Sequence, residues 1–223
     1  VKVDVSASDD VASAGDNLTQ TGNIVAGTDI DLDSLTGAIV TTGIATGVNY
    51  TVDAGDSINI GGNLTLSGSF GLGQTRQPTG TALIDADIIT TSVTADAEGD
   101  IILAALETIT SSGAVDIDAG NLLDINGTIA GTDIVLNADG DAEIATALNA
   151  TAGGVTITGG VDVTTEDTIN ASAGNDVSIS AGNTITQSGA IGNAGSTQDV
   201  TLTAATGDII SSAAIAAAAT VSV

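Results

Sequence analysis

Cysteine, histidine, methionine and tryptophan are all missing from this 223-residue chain, and proline occurs once. Without cysteine there is no disulfide framework and no thiolate metal site. Without histidine the commonest general base and metal ligand are gone as well. Aromatics are reduced to Tyr50 and Phe70, so the bulky anchors that fill the interior of most globular domains are lacking. Basic side chains are equally scarce: Lys2 and Arg76 stand against 28 acidic residues, for a formal charge of −26. Such a chain cannot neutralise phosphates, which excludes nucleic acid as a partner and sets it against anionic membrane surfaces. No apolar run approaches the roughly 18 residues of a membrane span, so no membrane insertion is expected. The initiator Met, basic n-region and apolar h-region of an export leader are also missing, which reads as a processed product or an interior piece of a longer chain.

What is present argues for order. Leu, Ile, Val and Phe supply 58 of the 223 residues, above the roughly one-fifth below which highly charged chains stay unfolded. These residues alternate with polar ones. In residues 174–191, Val177 and Ile179 alternate with Ser178 and Ser180, the period-two pattern of a strand with one buried face. Residues 181–183, Ala-Gly-Asn, are turn chemistry. A second short strand is predicted around Ile185, then a corner at Ser188-Gly189, then Ile191. The same pattern opens the chain, where Val1, Val3 and Val5 predict a strand from residue 1. Residues 101–107 and 141–149 could each form a helical turn, although β-branched neighbours and glycine disfavour it. The Ala-rich end, 213–219, is balanced between helix and small-residue strand.

Internal repetition decides the architecture. An apolar residue, three others, Gly, one other and an apolar residue recur at 18/22/24, 58/62/64, 64/68/70, 109/113/115, 123/127/129, 155/159/161 and 185/189/191. Ala-Gly-Thr-Asp-Ile stands at 26–30 and again at 130–134, and residues 14–24 resemble 181–191. These displacements divide into five and eight steps of about 20 residues. Short strands with corners this close cannot lie side by side in a sandwich, the alternative fold. Stacked coils can, each strand pairing with its copy one turn along at roughly 4.8 Å. The expectation is therefore an all-β, right-handed parallel β-helix (β-solenoid) with coils of about 20 residues, 1–223 forming one domain. Corner Asn and Asp would stack into ladders. Residues 71–80, which hold the only Pro and the only Arg and lack alternation, predict a protruding loop.

Residues 174–191, 99–120 and 131–141 resemble the repeat region of filamentous-haemagglutinin-type exoproteins, the two-partner-secreted adhesins. The resemblance covers most of 14–212. It implies an extracellular or cell-surface location and a stalk built as a right-handed parallel β-helix, with no catalytic residue to carry over. The family's amino-terminal secretion domain is not matched.

The chemical candidates are acidic pairs at i and i+2: Asp29, Asp31 and Asp33, then Asp85 and Asp87, Asp116 and Asp118, and Asp139 and Asp141. On a strand such pairs share a face and could hold Ca²⁺ weakly at several sites, although calcium-loop signatures are missing and a solvated outer face explains them too. No other cofactor is expected. Catalysis on polysaccharides by Asp/Glu pairs is a distant alternative, since a sugar cleft lined by aromatics cannot be built. Thr-x-Thr at 108/110, 156/158, 184/186 and 201/203 could order water if aligned, but the spacings suggest no common period. Six sequons, at Asn17, Asn49, Asn63, Asn126, Asn149 and Asn170, are glycan acceptors if the chain meets the machinery. The reading is a structural, adhesive or fibre-forming solenoid. Its partners are neighbouring coils of a longer chain or a host surface or glycan. The alternative is end-to-end stacking of copies into a homopolymeric filament.

Overall fold

The computed structural model describes residues 2–3, 10–193 and 195–223, and the side chains from Ala14 onward apart from residue 194. Among these residues there are thirty short strands and no helix. The strands form three parallel sheets that wrap one core. A representative coil runs Val115–Ala119 on the first face, Leu123–Ile125 on the second and Thr128–Gly131 on the third. The first face holds eleven strands, from Asp10–Ala14 to Thr220–Ser222. The second holds eleven, from Lys2–Val3 to Ile209–Ser211, and the third eight, continued by bridges from Ile169 to Ile191 and on to Ile215. The chain is thus a β-solenoid of about ten turns with coils of about 21 residues.

Alternation explains which side chains point inward. Every second residue of a strand faces the core, so Ile30, Tyr50, Phe70, Val93, Val115 and Ile134 form one inward file, each directly over the last. Leu32, Val52, Leu72, Ala95, Ile117 and Leu136 form the next. Both files are buried, mostly to 0–1 % exposure. The two aromatics occupy neighbouring coils of one file and stack with centroids 6.2 Å apart. The outward side of these parallel sheets carries polar side chains where most parallel sheets are covered by helices.

Six of the seven template glycines mark corners, and the seventh, Gly159, ends the strand Val155–Gly159. Gly22, Gly62, Gly127 and Gly189 turn the chain from the second face to the third, and Gly68 and Gly113 from the third to the first. A Cβ at Gly62 would lie 2.0 Å from the Gly43 carbonyl oxygen, and one at Gly43 would lie 2.1 Å from that of Gly22. Coils stack backbone on backbone there, and only glycine fits.

Several expectations change in detail. Residue 1 and residues 4–9 lie outside the described residues, so the opening strand is seen only as Lys2–Val3. Ile101–Leu103, Ala142–Ile144 and Leu148–Ala150 are strands, not helical turns. After Ile101–Leu103 the chain turns at Leu106, which has φ 73° and is 95 % exposed. The Ala-rich end is neither helix nor long strand; it touches the sheet at Ile215 and pairs again at Thr220–Ser222. Gly71 and Leu72 belong to the strand Ser69–Leu72, because Leu72 continues the file over Val52. The loop is therefore shorter than 71–80 at its start, and it does not protrude freely.

Candidate functional site

Three features of the surface carry chemistry: the Asx corners, the acidic half of the first face and the loop between Leu72 and Ala82. The corners are the most regular. An Asp or Asn stands immediately before the first inward residue of many strands, and its Oδ1 accepts the backbone N–H of the same position one coil on. Asn17 takes Ala38, Asn23 takes Ile44, Asn49 takes Ser69 and Asn63 takes Asp87. Asp87 takes Thr108, Asp100 takes Leu122, Asp133 takes Gly154 and Asp141 takes Asp162. Asp162 takes Thr184, Asp176 takes Asp199 and Asp199 takes Thr220. These eleven bonds measure 2.8–3.2 Å, within ordinary hydrogen-bond geometry. The expected ladder is present, but it runs mainly from side chain to backbone. Side-chain pairs supplement it, with Asn49 donating to Asp29 at 2.7 Å and Asn121 to Asp100 at 2.6 Å.

The predicted acidic sites therefore divide. Asp29, Asp87 and Asp141 are corner residues engaged with the next coil. Asp85 stands in the preceding turn, its backbone N–H on the Ile60 carbonyl, and Asp139 is an exposed corner residue. Asp31, Asp33, Asp116 and Asp118 do share the outward side of the first face. Asp33 lies beside Asp53, and Asp96 beside Asp118, in one outward file. Like charges in files with partial burial hold protons harder. Burial chiefly, then Asp53, Asp33 and Asp29, pushes the Asp31 carboxyl above its usual range. Burial, then Asp139 and Asp116, does the same to Asp118. Asp96 is raised by burial and Asp118, with the Gln74 hydrogen bond working the other way. Among the described residues no three His, Cys, Asp or Glu side chains converge as a metal site would require.

Residues 73–81 lie across this acidic file. Arg76 pairs with Asp33 through Nη1, which also donates to the Ser34 carbonyl at 3.1 Å. Asp53, 4 % exposed, accepts the backbone N–H groups of Thr75 and Arg76 at 3.0 and 3.3 Å. Gln74 donates to the Thr94 carbonyl at 3.2 Å and to Asp96 at 3.1 Å. The Pro78 carbonyl accepts Glu98 N–H at 3.0 Å. Gly73 begins the loop with φ 69°, where a Cβ would meet the Asp96 carbonyl at 1.9 Å. The loop is a strap fastened to coils on both sides of its own. Asp53 had no paired carboxylate on its strand to mark it, so sequence reasoning passed over it.

Beyond the strap the outward side changes character. Thr156, Ser178 and Thr201 form one file and Thr158, Ser180 and Thr203 the next, all in register. Two of the four Thr-x-Thr pairs are therefore aligned, contrary to the spacing argument, because coil lengths vary. Thr110 and Thr186 belong to the third and second faces.

The sequon asparagines divide in the same way. Asn17, Asn49 and Asn63 are corner acceptors, and Asn126 donates to Asp124 at 2.7 Å. Asn149 and Asn170 are neighbours in one outward file of the third face.

Comparison with family models, with curated proteins and with solved structures finds no match to this chain.

Proposed function

We propose that this chain is a stalk segment of an extracellular, cell-surface protein with a structural and adhesive or fibre-forming role. The observation that supports this most is the continuity of the ladders. On the first face, backbone pairing passes from coil to coil without a break from Asp10 to Ser222. Such a body resists unravelling because most coils are held by three strands and by Asx corners at once. The acidic outer side keeps it hydrated and repels its own kind laterally. The mechanism is mechanical and needs no cofactor.

Immunogold labelling of the intact producing cell tests this reading. Gold on unpermeabilised surfaces is expected; label that appears only after permeabilisation would overturn it. A second reading is end-to-end assembly of copies, through pairing of strand edges between solenoids. Electron microscopy of the purified chain separates the two: long threads support assembly, and isolated short rods support the stalk.

A further inference from the structure

We propose that the cleft beside the strap 73–81 is a binding site for a neutral oligosaccharide. The cleft has a volume of about 530 Å³ and is lined by the strap itself, the corner residues Leu35 and Gly55, and Glu98 of a later coil. That size suits a short ligand rather than a polymer face. The strap departs from the repeat and holds the chain's single Arg and single Pro in one segment. Function on a regular scaffold concentrates on such loops.

The strap is also held before any ligand arrives. Asp53 fixes the backbone of Thr75 and Arg76, Gln74 is tied to Thr94 and Asp96, and the Thr79 hydroxyl donates to the Gly55 carbonyl at 3.1 Å. A pre-ordered loop loses little entropy on binding.

The ligand class follows from the groups left over. The Gln77 amide and the Thr75 hydroxyl make no hydrogen bond within the protein among the described residues. Arg76 uses Nη1 internally and is 29 % exposed, which leaves further donors for a ligand. Glu98 supplies an acceptor. Donors and acceptors are mixed, which matches vicinal hydroxyls that both give and take hydrogen bonds. Leu35, 56 % exposed, offers an apolar patch for the C–H side of a ring. Sulfated, sialylated or uronate sugars are disfavoured by the net charge of −26 that the whole chain carries. With no aromatic platform available, affinity should fall in the millimolar to high-micromolar range.

The inference rests on the adhesive reading for its setting, and the two fail separately, because surface labelling reports on the stalk and titration reports on the cleft. The experiment is saturation-transfer NMR of the whole chain with neutral mono- to tetrasaccharides of glucose, galactose, mannose and N-acetylhexosamine. Expected is transfer to at least one of these and none to matched acidic sugars. The double variant Thr75→Val, Gln77→Ala should lose binding at least about tenfold with an unchanged thermal midpoint, while Thr158→Val on the far hydroxyl files should bind normally. No transfer from any neutral sugar, or undiminished binding by the double variant, would overturn the proposal.

Discussion

Asp162 is bonded on two sides. Its carboxylate accepts Thr184 N–H at 2.8 Å and Asn183 Nδ2 at 2.9 Å, while its own N–H donates to Asp141 at 3.0 Å. Removing the charged acceptor forfeits hydrogen bonds to a charged group, worth about 1–3 kcal/mol in all. Asp162→Ala should therefore lower unfolding stability by about that amount in urea titrations, and Asp162→Asn should recover most of the loss. Two carboxylates of the outward file act through their protons instead. Asp96 and Asp118 are held above the ordinary value of 3.8, so the folded state binds their protons more tightly than the unfolded state. Their contribution is favourable on the acid side and is lost as pH rises through the raised values. Thermal midpoints should climb as pH falls from neutrality toward the mildly acidic range. Asp118→Asn should raise the midpoint at pH 7 and flatten that slope. The corner role was readable in part: Asp or Asn directly before an apolar residue recurs at 29–30, 87–88, 100–101, 133–134, 162–163 and 176–177. Pairing acids at i and i+2 hid it, because that pattern groups Asp29 with Asp31 although their side chains do different work.

Strands and corners were legible because alternation and glycine placement are local. The echo divisors also survive: Ile30 to Ile134 is five coils, and Leu18 to Ile185 is eight. Gln20 and Gln187, equivalent in that echo, cap their own corners through the Gly22 and Gly189 carbonyls. Coil length was not legible, since register steps range from 17 residues at Lys2↔Thr19 to 24 at Ile58↔Ala82. A spacing test that assumes one period misses Thr156 over Ser178 over Thr201 for that reason. At the Gly62 corner, Gly62→Ala forces Cβ into the Gly43 carbonyl, and overpacking of this kind costs about 1–3 kcal/mol; the shift should appear in denaturant midpoints. The strap gives a sharper test. Trypsin has two targets in the chain, Lys2 and Arg76. Native protein should resist cutting at Arg76, whereas Asp53→Ala, which frees the strap backbone, should be cut there and release 77–223.

The whole molecule is a polyanion wrapped around an aliphatic core. Raising NaCl from about 0.01 M to about 1 M shrinks the screening length from about 30 Å to about 3 Å, so the thermal midpoint should rise steeply with salt, and equally for sodium and potassium. A midpoint indifferent to salt would mean that the carboxylates are already neutralised by their surroundings. Ten steps of the first face correspond to a body on the order of 50 Å long. The Asx bonds add something symmetry does not require, for in each the acceptor belongs to the earlier turn and the donor to the later one. The two tips of the rod are consequently unlike. Growth has an arrow: a finished turn offers an amide or carboxylate oxygen to the backbone of the segment that follows it. Material delivered amino end first would meet a waiting latch at every winding, and the rod would behave as a ratchet, closing in one sense and reluctant to slip in the other.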